Sequence, residues 1–296
     1  MRRYLSPFHG DRSTVTFSRT EIGAIFEKHG LAPRRAFGQN FVVDANIVRK
    51  IARLAEIGPG DFVLEIGAGL GSLTLALAET GAKIMAVEID NGVVDVLREN
   101  VAGLSNVEVI HADAMQLDWS MLKARSDNWH VVANLPYNVA TSIVADLLDM
   151  VPEVRSLLVM VQSEVAERLV ARTGSEAYGA VSVKVDYWAT SKIVGQVPSS
   201  VFFPQPKVES SLVAIRRRER PAIDDVVAAE LFALVRTGFA KRRKMLRRAL
   251  ADTVVAQDFI DAEVNPESRA EELDLNAWGR LRKTIDARLA REAGRT

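Results

Sequence analysis

From residue 61 onward, short apolar runs alternate with amphipathic stretches, which is the pattern of strands joined by helices. The run 62–66 predicts a buried strand, and 72–79 predicts the helix that follows it. The same alternation predicts further strands at 84–88, 107–110, 131–133, 156–161, 181–189 and 211–215, and further helices at 91–100, 141–150 and 163–171. Strands that alternate with helices favour a doubly wound, mostly parallel α/β sheet.

The two ends of the chain depart from this pattern. Residues 1–17 show no periodicity, while 21–29 predicts a short amphipathic helix that ends at Gly30. After Pro221 the pattern is that of helices, up to about residue 291. We therefore expect three parts: an N-terminal extension with a short helix (1–35), a sheet domain (36–218) and a small all-helical C-terminal domain (219–296).

Composition narrows the functional classes. The chain has 296 residues and 48% hydrophobic content, enough for one large packed domain with a small second one. It has no cysteine, which excludes disulfides, a thiolate nucleophile and cysteine-ligated metals. Residues 1–20 lack the apolar segment of a signal peptide, and no apolar run approaches the ~20 residues of a membrane span. We expect a cytoplasmic protein without a membrane segment or a metal.

The formal net charge is +0, yet basic residues are concentrated in the predicted helical domain. This basic cluster consists of Lys241, Arg242, Arg243, Lys244, Arg247 and Arg248, and a smaller pair is Arg34 and Arg35. Apolar residues at helical spacing across 239–250 predict that the cluster lies on a helix. A solvated helix face is one interpretation, but charges of one sign repel each other unless an anion binds. RNA phosphates would supply that anion, giving affinity and salt dependence without base specificity.

A glycine loop follows the first strand of the predicted sheet and opens a helix. Its glycines, Gly67, Gly69 and Gly71, would let the backbone turn tightly and approach a ligand closely. The GxGxG spacing differs from the GxGxxG fingerprint of dinucleotide-binding loops. A loop of this kind also occurs for packing reasons, so it does not identify a ligand without further residues.

Those further residues stand at the ends of the next three predicted strands. Glu88 is placed to accept hydrogen bonds from ribose hydroxyls, and Asp113 to accept one from an adenine amine. Each acid taken singly would also suit a strand end or a helix cap. Together with the glycine loop and Asn134, they suit S-adenosylmethionine, whose methyl group would point toward Asn134.

The segment Asn134-Leu135-Pro136-Tyr137 ends an apolar run and suits methyl transfer to the exocyclic amine of a base. The Asn134 side-chain oxygen and a neighbouring main-chain carbonyl could accept both amine hydrogens and so localise the nitrogen lone pair. Pro136 stiffens the turn, and Tyr137 offers a ring face on which a base can stack. The alternative is a helix N-cap asparagine followed by a turn proline.

Taken in order, these motifs resemble the KsgA/RsmA family of ribosomal RNA small-subunit adenine N6,N6-dimethyltransferases. The segments that carry the resemblance are 37–41, 65–69, 87–90, 113–114, 134–138, 178–179, 201–210, 242–244 and 269–273, within a match from about 33 to 281. The resemblance implies a Rossmann-like class I S-adenosylmethionine-dependent methyltransferase sheet with a small helical domain. The implied substrate is two adjacent adenosines in a hairpin loop near the 3′ end of small-subunit (16S) rRNA.

The resemblance also implies roles for individual residues. The implied cofactor contacts are Asn40, Val42, Gly67, Gly69, Glu88, Asp113 and Asn134, and the implied catalytic residues are Asn134, Leu135, Pro136, Tyr137 and Phe202. The family often has leucine where Val42 stands, and the contact there would be through the backbone. Phe202 would stack on the target base opposite Tyr137, although without the resemblance Phe202 reads as a core aromatic. Residues before Ser18 receive no role.

We therefore expect a methyltransferase that acts on adenine N6 of rRNA in the assembling 30S subunit, as a monomer without metal. The related 23S rRNA adenine methyltransferases that confer macrolide resistance are the closest alternative, and Asn138 and the segments 37–41 and 269–273 favour the small-subunit enzyme. An rRNA-binding assembly or transcription factor with vestigial methylation is the second alternative. An NAD-dependent dehydrogenase is disfavoured by the glycine spacing.

Overall fold

The structure, a computed structural model, describes residues 15–34 and 37–294 and contains a large sheet with helices between its strands. The strands are β1 Phe41–Val42, β2 Phe62–Ile66, β3 Lys83–Glu88, β4 Val107–His111, β5 Trp129–Asn134, β6 Val154–Gln162, β7 Ala189–Val197, β8 Phe202–Phe203 and β9 Ser210–Arg217. The helices are α1 Arg19–His29, α2 Ala45–Leu54, α3 Ser72–Ala78, α4 Asn91–Val101, α5 Ser120–Lys123, α6 Ala140–Met150, α7 Ser163–Val170, α8 Ala180–Trp188, α9 Ala228–Ala240, α10 Leu246–Ala249, α11 Ala256–Asp261 and α12 Leu275–Ala293.

Within the described residues, seven strands form one sheet in the order β4-β3-β2-β5-β6-β9-β7. The central pairs β4–β3, β3–β2, β2–β5 and β5–β6 are parallel. The predicted α/β class is therefore confirmed. The ends of the first five predicted strands differ from the ends of the observed strands by at most two residues. β2, β3 and β5 carry almost continuous buried apolar side chains, as strands covered on both faces require.

One predicted strand is wrong. Residues 181–189 include valines that alternate with polar residues, yet 181–188 belong to the helix α8 and β7 begins only at Ala189. In the helix Val183 and Tyr187 are four residues apart, share one face and are buried in the core of the helical unit. The Ser182 hydroxyl accepts a hydrogen bond from Gly179 N at 3.0 Å at the start of the helix. Packing and this cap outweigh the β-propensity of the valines.

The first of two compact units contains the chain up to Ser163 and the segment Ile193–Ala214. Helix α1 matches the predicted one: Ser18 caps it through a capping box, and Gly30 ends it in the left-handed conformation. Its buried face packs Phe26 edge-on against Phe41, with 5.4 Å between the ring centroids. The short β1 pairs antiparallel with β8, so that Val42 lies opposite Phe202.

The second compact unit contains Glu164–Lys192 and the chain from Ile215 onward. Its core surrounds Trp278 of α12, which is fully buried with Leu231 and Phe232 of α9. Segment 164–192 thus groups with the C-terminal helices, whereas the division at 218/219 places it with the sheet. This grouping does not test the predicted functional domains, 36–218 and 219–296, and their limits stay a prediction. In the part of the chain that the structure describes, every helix is too short or too polar to span a bilayer.

Two helical glycines provide a matched test of this packing. A Cβ at Gly238 of α9 would lie 2.6 Å from the Trp278 ring, whereas a Cβ at Gly23 of α1 would meet nothing within 4 Å. We expect Gly238→Ala to lower the free energy of unfolding by about 1–3 kcal/mol through overpacking. Gly23→Ala should instead raise it by about 0.5–1 kcal/mol, because alanine restricts the unfolded chain. Urea unfolding followed by circular dichroism measures both, and equal effects would contradict the packing described.

Candidate active site

The glycine loop between β2 and α3 requires its glycines. Gly67 has φ +73°, and a Cβ there would lie 3.3 Å from the Pro136 ring. Gly69 has φ +57°, and a Cβ there would lie 3.1 Å from the Phe41 ring. The loop therefore adopts a conformation that L-residues rarely adopt, and it packs closely between β1 and the turn after β5.

A cleft with ≈ 620 Å³ of empty space lies against this loop. Its wall contains five of the predicted cofactor residues and Asn134, together with several residues without a predicted role. The lining residues are Phe37, Gly38, Gln39, Asn40, Phe41, Val42, Glu65, Gly67, Ala68, Gly69, Leu70, Ser72, Leu73, Glu88, Ile89, Asn134 and Pro136. The carboxyl ends of adjacent parallel strands meet here, as the sequence predicts.

Glu88, at the end of β3, ties the glycine loop to the sheet. Its Oε2 accepts from Gly69 N at 2.8 Å, and its Oε1 accepts from Ile89 N at 3.0 Å and Asp90 N at 2.9 Å. The side chain is 5% exposed. Burial raises the pKa of Glu88, and the three N–H donors act in the opposite direction by stabilising the anion.

Asp113 lines a second cavity of ≈ 660 Å³ that shares Phe37, Gly67, Ile89 and Pro136 with the first. Its Oδ1 accepts from Met115 N at 2.9 Å, which caps a short 3₁₀ helix. Asp113 therefore caps a helix, which is one of the two roles that its sequence position allowed. It also lies in the wall of the second cavity. Ile66, Ala112 and the methionine side chain make much of the remaining wall apolar.

Asn134 ends β5 with its amide orientation fixed by one hydrogen bond. Its Nδ2 donates to the main-chain oxygen of Asn40 at 3.0 Å. Its Oδ1 is buried and has no hydrogen-bond partner among the described residues. An amide oxygen buried in a cleft wall without a donor is costly unless a ligand supplies one.

The residues after Asn134 take different positions. Leu135 is 1% exposed, its N donates to Met160 O at 3.1 Å, and it lines neither cavity. Pro136 lines both cavities. Tyr137 is half-buried, its hydroxyl is 2.7 Å from Ser210 Oγ, and burial raises its pKa.

Phe202 lies elsewhere than predicted. It is 0% exposed and belongs to the core cluster that contains Val42, Leu73 and Leu212. The ring has no exposed face in this structure, and its stacking role stays a prediction that requires the ring to become accessible when RNA binds. The core-aromatic alternative fits, because pairing of β8 with β1 turns this side chain inward.

The main-chain oxygen of Val42 already accepts a hydrogen bond. The Thr16 hydroxyl donates to it at 3.0 Å and lies 3.0 Å from Ser72 Oγ, the first residue of α3. Residues before Ser18 had no predicted role, but Thr16 is 7% exposed and joins the strand to the helix behind the cleft. Nothing in the local sequence marks Thr16, because its partners are 26 and 56 residues away.

Glu65 is one of the cleft residues to which the sequence interpretation assigned no role. It is 1% exposed within the apolar strand β2, and its Oε2 has no hydrogen-bond partner among the described residues. Burial raises the pKa of Glu65 to about 8, nearby Glu88 adds to the rise, and a side-chain interaction with Thr74 opposes it. A single acid inside a buried strand is the signal that could have identified it.

The basic cluster lies in the second unit, and its local structure differs from the predicted helix. Helix α9 ends at Ala240, residues 241–244 form turns, and α10 begins at Leu246. The main chain here bonds to a distant segment, since Leu246 N donates to Ser268 O at 2.8 Å. Arg242 pairs with Glu271 and donates to Glu176 O, and Arg247 lies 3.6 Å from Glu267.

The other four members of the cluster, Lys241, Arg243, Lys244 and Arg248, are exposed and have no acidic partner among the described residues. Arg34 belongs to the first unit, where it lies 3.6 Å from Asp90 and 5.7 Å from the centre of the Phe37 ring. Arg35 lies outside the described residues. Among residues 15–34 and 37–294, no three His, Cys, Asp or Glu side chains form a group able to hold a metal.

A sheet of this order, parallel from β4 to β6 and with a glycine loop and acids at successive strand ends, defines a class I methyltransferase fold. Among solved structures, the 23S rRNA methyltransferase ErmE matches with TM-score 0.64 and 25% identity, over 83% of this chain and all of that one. A dimethyladenosine transferase from Plasmodium falciparum matches with TM-score 0.69 and 24% identity, over 81% and 95% of the two chains.

The family model described as ribosomal RNA adenine dimethylase matches residues 30–287. Ribosomal RNA small subunit methyltransferase A of Moorella thermoacetica is 39% identical over 88% of this chain and 96% of its own. The protein of the same name from Cutibacterium acnes is 43% identical over 93% and 95%. The chain belongs to the ribosomal RNA adenine dimethylase family, and it is an rRNA adenine methyltransferase.

The pKa of Glu65 predicts how stability depends on pH. The unfolded chain loses this proton near pH 4.5 and the folded protein near 8, so stability falls as pH rises between these values. Relative to wild type, Glu65→Gln should therefore gain about 1.4 kcal/mol per pH unit over much of this window. Glu108→Gln is the control, because Arg125 lowers the pKa of that exposed group. Denaturant unfolding of the ligand-free proteins at pH 5, 6 and 7 measures the difference, and a constant difference would contradict the shift.

Proposed function

We propose that this protein transfers methyl groups from S-adenosylmethionine to N6 of two adjacent adenosines in a hairpin loop near the 3′ end of 16S rRNA. The product is N6,N6-dimethyladenosine, made during assembly of the small ribosomal subunit. The observation that carries the proposal is the buried, unpartnered oxygen of Asn134 beside the glycine loop. Relatives at 39–43% identity bear the small-subunit name, whereas the 23S enzyme ErmE is 25% identical, which favours the small-subunit target.

The role of Asn134 follows from its hydrogen bonds. Because Nδ2 donates to Asn40 O, the amide presents its oxygen to a ligand. That oxygen can accept one hydrogen of the adenine amine, and a main-chain carbonyl of the Asn134-Leu135-Pro136 turn can accept the other. The nitrogen lone pair is then free to attack. Asn134 stays neutral, so it orients the amine without acting as a base, and the proton leaves to water after methylation.

The residues of the cleft fit the proposed cofactor. When bound, S-adenosylmethionine supplies an electrophilic methyl group on a sulfonium. Glu88 already accepts three backbone bonds, which leaves room for about one more from a ribose hydroxyl. Asp113 would accept from the adenine amine in the second, more apolar cavity. Asn40, Val42, Gly67 and Gly69 would shape the wall between these two acids, with close approach through the glycine backbone.

The target base would stack on Tyr137, with Phe202 on its other side if that buried ring becomes accessible on RNA binding. Tyr137 is half-buried next to Asn134, and its bond to Ser210 holds the ring in place. An unpaired loop adenosine can enter such a site without the cost of leaving a duplex. Tyr137 then provides the aromatic face in this proposal, and Leu135 and Pro136 fix the turn that carries it.

The rRNA would be held by cations that lack acidic partners. Four residues of the basic cluster meet this condition: Lys241, Arg243, Lys244 and Arg248. Arg242 and Arg247 are partly neutralised by acids, so we assign them a smaller share. Arg34, with Arg35 beside it in the sequence, is a second candidate. We further propose that the enzyme acts as a monomer on the assembling 30S subunit in the cytoplasm, without a metal.

The proposal is tested by methylation of unmodified small subunits with labelled S-adenosylmethionine, followed by mapping of the labelled nucleotides. We expect Asn134→Ala to lower kcat by at least about 100-fold, as for the removal of one preorganised polar group in other active sites. RNA affinity should stay nearly unchanged, because the removed group only orients the lone pair of the amine.

Asn106→Ala is the matched control for this variant. Asn106 also bonds to main-chain oxygens through Nδ2, at 3.0 Å to Ala78 and 2.9 Å to Ala82, but away from the cleft. It should lose stability and keep kcat. Near wild-type kcat in Asn134→Ala with saturating cofactor would refute the assigned role, and label in 23S rRNA would refute the proposed target.

Neutralising the free cations should reveal the phosphate contacts. We expect Lys241→Gln, Arg243→Gln and Lys244→Gln together to weaken RNA binding and to lower the salt slope by about 0.7–0.9 for each phosphate that is no longer neutralised. The control changes Arg53, Lys123 and Arg155 to glutamine, which removes the same charge from exposed positions outside the cluster. Salt titrations with the rRNA hairpin measure both. Identical slopes in the two triple variants would place the RNA on another surface.

A further inference from the structure

Strand β1 forms one wall of the cleft, and its length gives it little stability of its own. It consists of Phe41 and Val42, both of which line the cleft. Among the described residues it pairs with the equally short β8 in a two-stranded sheet, separate from the large one. A two-stranded pairing of this length is marginally stable by itself. The position of β1 therefore depends on bonds from other elements.

The orientation of the Asn134 amide depends on where β1 lies. Its Nδ2 donates to the main-chain oxygen of Asn40, the residue directly before β1, at 3.0 Å. An amide carries donors on one side and an acceptor on the other, so this bond settles which side presents Oδ1 to a ligand. A displacement of Asn40 would break the bond and free the amide to rotate. The oxygen would then no longer be held toward the amine of the target base.

The hydroxyl of Thr16 joins β1 to α3. It lies 3.0 Å from the Val42 main-chain oxygen and 3.0 Å from the Ser72 hydroxyl. A carbonyl oxygen only accepts, so the single hydrogen of the threonine hydroxyl goes to Val42, and Ser72 donates its own hydrogen to Thr16. Because Thr16 is 7% exposed and Ser72 8%, water competes little for these bonds. The bonds form a chain that runs from Ser72 through Thr16 to Val42.

Both sides of this hydroxyl chain are fixed by the core. Ser72 begins α3, in which every side chain except that of Leu75 is buried. Val15, directly before the threonine, is 2% exposed and belongs to the core cluster that contains Val42. The chain therefore holds β1 at a set position relative to α3. Val42 is two residues from Asn40, so this position also sets that of the oxygen that binds Asn134.

We propose that Thr16 is a positioning residue for methyl transfer. Its hydroxyl holds β1 against α3, β1 holds the Asn40 oxygen in place, and that oxygen fixes the amide of Asn134. The proposal rests on the role assigned to Asn134 in the proposed function. It also assigns a part in the reaction to a residue that precedes α1 and the predicted sheet domain.

A purely structural role for Thr16 leads to a different expectation. Loss of a buried hydrogen bond lowers stability wherever it occurs, but an enzyme that stays folded in the assay keeps its rate. A positioning role lowers the rate of the chemical step in the folded enzyme, because the reacting groups are no longer aligned. Single-turnover rates and unfolding free energies of the same variants separate the two roles.

Thr16→Val removes the hydroxyl and keeps the branched shape of the side chain. We expect its single-turnover rate, with saturating S-adenosylmethionine and unmodified small subunits, to be about 3–10-fold below wild type, as for the net loss of one hydrogen bond. Its affinity for the small subunits should not change. Thr16→Ser keeps the hydroxyl and should restore the rate to within about twofold of wild type. Thr16→Ala is a second test if valine is not accommodated, with the same expected loss.

Thr80→Val is the matched control. The Thr80 hydroxyl also has two partners, the Leu77 main-chain oxygen at 2.6 Å and Ala82 N at 3.3 Å, but it lies beyond the other end of α3. This variant should lose stability and keep the wild-type rate. A wild-type rate in folded Thr16→Val, or an equal loss of rate in Thr16→Val and Thr80→Val, overturns the positioning role.

A double-mutant cycle shows whether Thr16 acts through Asn134. In Asn134→Ala the amide is absent, so the addition of Thr16→Val should change the remaining rate by less than about twofold. A further loss of about 3–10-fold in the double variant would overturn this route. A wild-type rate in Asn134→Ala alone would instead overturn the proposed function, whatever the result for Thr16.

Discussion

The site depends on one buried carboxylate that joins two segments of main chain. Glu88 accepts from Gly69 in the loop after β2 and from Ile89 and Asp90 before α4. The loop could not be anchored in this way by a residue with one acceptor, because separate donors approach each carboxylate oxygen. Asp90 extends the arrangement: its side chain caps α4 through Gly92 N at 3.1 Å and accepts from Gln39 at 3.0 Å. The end of β3 therefore fixes both walls of the cleft.

A second constraint is that the buried polar groups of the cleft need hydrogen-bond partners. Most are satisfied within the protein, as for the Asn134 amide nitrogen, the Val42 carbonyl and the Glu88 carboxylate. Two buried oxygens are not, Asn134 Oδ1 and Glu65 Oε2. In the proposed function, the Asn134 oxygen accepts a hydrogen from the amine of the target base. Because unpaired buried oxygens cost stability, the empty protein is less stable than its packing alone would allow, and ligand binding recovers that cost.

The proposed RNA-binding surface differs from the cleft, because its charges are exposed and well solvated and contribute little to stability by themselves. The members of the basic cluster differ in whether an acidic side chain lies next to them. Arg242 and Arg247 have acidic neighbours, while Lys241, Arg243 and Lys244 have none among the described residues. Residues 241–244 of the cluster lie in turns between α9 and α10, where Leu246 enters the core and its N donates to Ser268 O. These turns interrupt the single helix that the apolar spacing predicts. An exposed turn presents several cations in different directions, which suits contacts to phosphates of an irregular RNA loop.

The sequence by itself determined the alternation of β2–β6 with helices, and with it the strand ends that carry the glycine loop, Glu88, Asp113 and Asn134. These follow from local periodicity, and parallel strands bring their carboxyl ends to one edge whatever the details of packing. Tertiary structure decided the rest. Residues 181–188 became a helix, Phe202 turned into the core, Thr16 joined β1 to α3, and Glu65 became part of the cleft wall. The partners of Thr16 and Phe202 lie far away in the chain, so no local pattern records them. Glu65 does have a local signal, a single acid inside an apolar strand, but its burial depends on the packing of the sheet.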